Sequence, residues 1–183
     1  MTDRYAVMGD PVSHSKSPVI HAAFAAQTDQ DLEYTAIHVQ PGRFAEAVRA
    51  FREDGGRGLN VTLPFKEDAF DLADRTSERG RRAGAVNTLW LTDVGVEADN
   101  TDGVGLVRDL TGNLGCGLAG RAVLLVGAGG AARGVLGPLL EQEPTRLVVA
   151  NRTASRSLAL AERFADVGPI EGCGLDGLRG ARF

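Results

Sequence analysis

Ala122-Val-Leu-Leu-Val-Gly-Ala-Gly-Gly-Ala-Ala132 decides the fold of the C-terminal half of this chain. Five apolar residues in a row suit a strand covered on both faces of a parallel sheet. The residues that follow fit the spacing G-x-G-x-x-A. Gly127 makes the tight turn, Gly129 leaves room for a pyrophosphate to approach the backbone, and Ala132 lets helix pack closely on strand. A helix starting here offers backbone N–H groups and the positive end of its dipole to phosphates. The spacing alone is a weak signal, because a glycine-rich turn need not hold a nucleotide. The strand before it and the helical pattern over 131–141 after it supply the context that strengthens it.

Further along, Leu147-Val-Val-Ala150 reads as a second strand and 155–164 as a second helix, completing a βαβα unit. An NAD site would usually place Asp or Glu at the end of that second strand, bonded to the ribose 2′-OH. This chain has Asn151-Arg152-Thr153 instead, with Arg156 one turn on. A carboxylate would repel a 2′-phosphate, whereas guanidinium groups bind it through paired, charge-assisted hydrogen bonds. NADP is therefore favoured over NAD. The competing reading has Thr153 or Ser155 capping a helix and the arginines merely solvated. It explains the hydroxyls but not the missing acid. Upstream, 102–110 reads as a helix, followed by a Gly-rich loop from Gly112 to Gly120.

The N-terminal half alternates apolar stretches with helical patterns. Tyr5-Ala-Val-Met8, Leu32 to Val39 and Leu59-Asn-Val-Thr62 read as strands. Between them lies a helix capped by Ser17, with Pro18 at its first position and Ile20, Ala23, Phe24 and Ala26 as its apolar face. The next helix carries Phe44, Val48 and Phe51 on one side and stops before Gly55-Gly56. Helical stretches over 66–73 and 77–83 follow. Ala85 to Leu91 and Val96-Glu-Ala98 then form a β-hairpin with Gly95 in its turn.

The whole chain narrows the field further. It has 183 residues, room for one large domain or two small ones. No apolar run approaches the ~20 residues of a membrane span, and the first residues lack the pattern of a secretory signal. The net charge is −4, with no Lys/Arg cluster interleaved with aromatics, which argues against nucleic acid as a partner. Cys116 and Cys173 stand far apart, which suits reduced thiols in a cytoplasmic protein. His14, His21 and His38 show no metal-ligand spacing.

Four segments of the N-terminal half mean little one at a time. Ser13-His-Ser15-Lys-Ser17-Pro18 puts hydroxyls at a helix start. Asn60-Val-Thr62-Leu-Pro-Phe-Lys66-Glu67 sets a lysine just past a strand and a proline break. Gly84-Ala-Val-Asn87-Thr88 offers an amide at the start of a strand, and Asn100-Thr-Asp102-Gly103 a carboxylate at a helix start. Singly, Lys66 reads as a surface lysine and Asp102 as an ordinary helix cap. Taken together and in this order, with Gly127-Ala-Gly-Gly-Ala131 and Asn151-Arg-Thr153, they resemble the shikimate dehydrogenase family. That family shows S-x-S-P, N-V-T-x-P-[FY]-K, G-A-V-N-T, N-T-D-G, G-A-G-G-A and N-R-T.

The resemblance implies an α/β fold: an N-terminal substrate domain with a mostly parallel sheet over 1–101, then an incomplete Rossmann NADP-binding domain over 102–183. It implies NADPH-dependent, reversible reduction of 3-dehydroshikimate to shikimate, within aromatic amino acid biosynthesis. Carried over residue by residue, Ser15 and Ser17 bind the substrate carboxylate, and Thr62, Asn87 and Asp102 hold ring hydroxyls. Lys66 and Asp102 form the catalytic pair, and Lys66 also meets the substrate. A ketone reduction needs a proton beside the hydride, and a lysine ammonium supplies one while polarising the carbonyl. A carboxylate nearby keeps that ammonium charged, whereas desolvation lowers its pKa. Which of the two transfers the proton stays open. The cofactor set is Gly127, Ala128, Gly129, Gly130, Ala131, Asn151, Arg152, Thr153 and Arg156. The implied partner is the small-molecule substrate, with no nucleic acid or membrane and, if the chain self-associates, a homodimer. In the family a further Rossmann strand begins near Leu178, so roughly a third of the protein is expected beyond Phe183. An incomplete chain that keeps parts of both sites without turnover, and a relative that accepts quinate, are the alternative readings.

Overall fold

The structure is a computed structural model that describes residues 2–180 and 182. The chain divides into two compact units, one reaching to Asn100 and the other starting at Thr101.

The first unit is built on a six-stranded sheet, order β2-β1-β3-β5-β6-β4. Its strands are β1 (Asp3–Gly9), β2 (Leu32–His38), β3 (Gly56–Val61), β4 (Arg75–Thr76), β5 (Thr88–Thr92) and β6 (Gly95–Asp99). The helices are α1 (Ser17–Thr28), α2 (Phe44–Glu53), α3 (Lys66–Leu72) and α4 (Glu78–Ala83). β1 runs parallel to both β2 and β3, and β4 parallel to β6; β5 is antiparallel to β3 and to β6. Alternation along each strand sorts side chains between two faces. Ala6, Met8, Leu59, Val61, Leu89, Val96 and Ala98 form a buried core with Phe44, Val48 and Phe51 of α2. The apolar side expected for α2 is thus its inward side. Phe44 stacks on Phe65, ring centroids 5.1 Å apart, which pins the turn entering α3.

Several local expectations are corrected. In α1 the expected apolar face looks outward: Ile20 and Phe24 are exposed, as are Ala23 and Ala26. The inward row is Ser17, His21 and Ala25, four residues apart, with only Ala25 fully buried. The reason is a polar stack: His21 lies flat on Tyr34 of β2, centroids 4.0 Å apart and planes 4° from parallel. Ser17 is not the cap either. The backbone N–H of Ser17 donates to Ser15 Oγ at 3.2 Å, so Ser15 closes the helix start. The hairpin strand begins at Thr88, leaving Ala85 and Val86 as buried loop residues, and its turn is Asp93-Val94, with Gly95 opening β6.

The second unit begins with α5 (Asp102–Arg108), which runs on into a π-helical turn over Asp109–Asn113, past the glycine expected to open a loop. Then come β7 (Ala122–Val126), α6 (Gly130–Leu140), β8 (Arg146–Asn151), α7 (Ala154–Arg163) and β9 (Ile170–Gly174). The three strands form a parallel sheet, order β7-β8-β9. The apolar run expected to be covered on both faces is only half-buried, and Val126 is 65% exposed. β7 is an edge strand, whereas central β8 has Leu147 to Ala150 fully buried. Gly103 is required at the start of α5, because a Cβ there would strike Gly134 O and Pro138 of α6.

Candidate active site

In the first unit, two strand-to-helix turns meet at the C-terminal ends of β1 and β3. Thr62 N–H donates to Met8 O and Asp10 N–H to Leu63 O, both at 2.9 Å, so the turn after β3 is zipped to the end of β1. These turns frame a cleft of about 350 Å³ lined by Val7, Asp10, Pro11, Val12, His14, Ser15, Ser17, Thr62 and Leu63. Ser15, Ser17 and Thr62, far apart in sequence, thus share one cleft. Gly9 makes this possible: a Cβ there would collide with Thr62 Cγ2. Asp10 brings a carboxylate to the same cleft, and His38 Nε2 pairs with it at 2.8 Å.

Lys66 and Asn87 are tied to the same turn through the backbone. Phe65 N–H donates to Thr62 O at 3.1 Å, Val86 N–H to Lys66 O at 2.9 Å, and Val61 N–H to Asn87 O at 2.9 Å. The tie continues to the end of the unit: Asn87 N–H donates to Asp99 O at 3.0 Å, and Asn100 Nδ2 to Ala85 O at 2.8 Å. Asp99 is buried and anchors this corner. Burial alone would push its carboxyl pKa up. Hydrogen bonds from Arg79 and Ser77, the Arg79 charge and the Asn100 N–H outweigh that and hold it below the usual value.

Beside the cleft, Tyr34, Asn60 and Thr88, none of them among the expected site residues, form a polar cluster with Asn87. Tyr34 Oη donates to Asn60 Oδ1 at 2.7 Å. Asn60 Nδ2 donates to Asn87 O at 3.3 Å and to Thr88 Oγ1 at 3.5 Å, and Thr88 Oγ1 donates to Asn87 Oδ1 at 3.0 Å. Burial pushes the Tyr34 phenol up to about 12, opposed in part by the Ser17 side chain. Burial likewise lowers the His21 pKa. The available signal was Asn60 itself, a polar residue set between Leu59 and Val61 in a strand.

In the second unit, Asp102 is the first residue of α5. The glycine loop and the Asn151–Thr153 turn lie at the C-terminal ends of neighbouring strands. Val126 pairs with Ala150, and Gly127 N–H donates to Ala150 O at 2.8 Å. Gly127 has φ +118°, a conformation that favours glycine. A Cβ on Gly127 or Gly129 would meet nothing within 4 Å, so the space over the loop is open, at the N-terminus of the 11-residue α6. Ala132 is buried in the unit's core. Ala128 belongs to the turn, and Gly130 and Ala131 are the first two residues of α6. Arg152, Thr153 and Arg156 are exposed at the end of β8, and Asn151 Nδ2 donates to Thr153 O at 3.0 Å. Thr153 stands at the N-cap of α7, yet its side chain makes no capping bond. A dinucleotide's pyrophosphate fits this open turn, and no carboxylate stands at the residues that would face its ribose. Among the described residues no helix is long and apolar enough to cross a membrane.

Comparison with known proteins places both units. Residues 7–89 match the model of the shikimate dehydrogenase substrate binding domain, and residues 110–179 that of shikimate / quinate 5-dehydrogenase. A shikimate dehydrogenase (NADP(+)) of Methylococcus capsulatus is 59% identical over 99% of this chain and 65% of its own length. One from Chromobacterium violaceum is 54% identical over 100% of this chain and 67% of its own. The crystal structure of shikimate 5-dehydrogenase from Thermus thermophilus with NADP(H) and shikimate superposes with a TM-score of 0.84. It is 36% identical over 93% of this chain and 63% of its own. The chain thus spans about two-thirds of the length of the relatives it matches.

Proposed function

Since the chain belongs to the shikimate dehydrogenase family, we propose that it serves the NADP-dependent interconversion of 3-dehydroshikimate and shikimate in the cytoplasm. The observation that carries this reading is the gathering of Ser15, Ser17 and Thr62 in one cleft, with Lys66 and Asn87 tied to its wall by backbone bonds. Ser15 and Ser17 donate to the substrate carboxylate, which keeps its charge throughout. Thr62 and Asn87 hold ring hydroxyls, and Asp102 is the third residue proposed for them. NADPH, when bound, supplies the hydride. Gly127, Ala128, Gly129, Gly130 and Ala131 receive its pyrophosphate, and Asn151, Arg152, Thr153 and Arg156 its 2′-phosphate. Lys66 Nζ delivers the proton that the carbonyl oxygen takes up and takes it back in the reverse direction, with Asp102 as its proposed acidic partner.

The test measures shikimate-dependent reduction of NADP by the chain, together with binding of shikimate and of NADP by calorimetry. Turnover with both ligands bound is the expected result. Binding without turnover would leave both sites standing and remove the activity from this chain. Failure to bind shikimate would overturn the reading.

A further inference from the structure

The cluster around Tyr34 is not used by the mechanism above, yet it touches two of the mechanism's residues. Tyr34, Asn60 and Thr88 project from the same face of the sheet. Asn60 pairs directly with Thr88 across β3 and β5, and Val7 of β1 pairs with Asn60 on one side and Ala36 of β2 on the other. The donors and acceptors along this face leave little choice of direction. The Tyr34 hydroxyl donates to Asn60 Oδ1 at 2.7 Å, which turns Asn60 Nδ2 toward Asn87 O, an atom that can only accept. The same amide reaches Thr88 Oγ1 at 3.5 Å, the longest link. Having accepted there, the Thr88 hydroxyl gives its proton to Asn87 Oδ1 at 3.0 Å. The oxygen end of the Asn87 amide is thereby held toward Thr88 and its nitrogen end faces the other way.

We infer that Tyr34 is a positioning residue: it heads a relay through Asn60 and Thr88 that fixes the Asn87 amide with its N–H end toward substrate. The inference rests on the proposed role of Asn87. It adds a chemical requirement: the substrate atom met by Asn87 must accept a hydrogen bond, as a hydroxyl or ketone oxygen does. Two features support a fixed rather than a reactive tyrosine. His21 stacks on the ring and sets its plane from α1, the helix that carries Ser17. The phenol is protonated throughout the neutral range, and burial, which pushes it up to about 12, takes it further from ionisation.

The test uses Tyr34→Phe, which keeps the ring on His21, and Thr88→Val, with Thr88→Ser as the conservative rescue. In ¹⁵N-labelled protein without ligand, the side-chain amide signals of Asn60 and Asn87 are expected to move in Tyr34→Phe and in Thr88→Val. They should return to the wild-type positions in Thr88→Ser. Unmoved Asn87 signals in both variants would overturn the relay, whatever the protein binds. Shikimate binding is expected to weaken roughly three- to tenfold in either variant, the worth of one neutral hydrogen bond. The double variant should bind no worse than the weaker single one, because the links act as a unit. Additive losses, or reduced melting temperatures with unchanged shikimate binding, would reduce Tyr34 to a purely structural residue. A wild-type protein that does not bind shikimate would instead refute the proposed function, and the amide signals would still decide the relay.

Discussion

Gly9→Ala probes the cleft most directly. The added methyl would overlap Thr62 Cγ2, lie 3.2 Å from Leu63 O and 3.6 Å from Val12 Cβ. Carbon pairs prefer about 3.5–4.0 Å, so the first contact must be relieved by movement. The backbone cannot give easily, because Thr62 N–H is bonded to Met8 O and Asp10 N–H to Leu63 O on either side of the clash. The Thr62 side chain has to rotate, or the β1–β3 ladder has to slip. Overpacking of this kind costs about 1–3 kcal/mol. With a urea slope of ~2 kcal/mol/M, the unfolding midpoint should fall by ~0.5–1.5 M. Shikimate binding should weaken as well, since the Thr62 side chain must leave its place in the cleft to relieve the overlap. Urea titration and calorimetry on the same samples measure both losses. Thr62→Ser removes the offending methyl and keeps the hydroxyl, so adding it to Gly9→Ala should recover most of each. A Gly9→Ala protein with wild-type midpoint and affinity, or a double variant no better than Gly9→Ala, would refute the steric argument.

The other expectations concern chemistry, cofactor and pH. Lys66→Ala should lower kcat by ~10²–10⁴-fold in an active form while leaving NADP affinity unchanged; a fully active variant would remove Lys66 from the mechanism. Arg152→Asp should weaken NADP(H) binding far more than NAD(H) binding, and equal losses by calorimetry would count against a 2′-phosphate contact. Asp99 has a folded-state pKa below its unfolded one, so its contribution to stability is fully present above the unfolded pKa of ~3.9 and is lost as pH falls through the folded value. Asp99→Asn should therefore be less stable than wild type at pH 7, and the gap should narrow as pH drops below ~4; a gap independent of pH would contradict this assignment.

The parts of the fold that rest on local chemistry could be read in advance. The glycine turn after an apolar strand, the inward row of α2 and the alternating strands follow from spacing alone. What escaped depends on neighbours distant in sequence. β4 has two residues and exists because β6 offers an edge at Glu97 and Ala98. β9 has Gly172 and Gly174 within it, and Gly172 is there because a side chain would strike the backbone of Ser157. The orientation of α1 followed its polar residues rather than its apolar ones, because His21 found Tyr34. The candidate site shows the same division. Its proposed residues stand in ordered motifs in the sequence, whereas the bonds that bring Ser15, Ser17 and Thr62 to one cleft join segments far apart in the chain. Tyr34 was not legible, since an aromatic in a strand carries no mark of the bond its hydroxyl makes.

The position of β1 inside its sheet sets a timetable for synthesis. Asp3–Gly9 leaves the ribosome before both strands that flank it, and one of them, β3, is complete only at Val61. At ~5–20 residues per second this leaves an interval of roughly three to ten seconds. Throughout it, Ala6 and Met8 lack the Leu59 and Val61 side chains that later cover them, and one flank of the strand offers unpaired backbone groups. One flank of β1 is thus open to mispairing until Val61 appears. Slowing translation ahead of that point should lower the yield of folded protein.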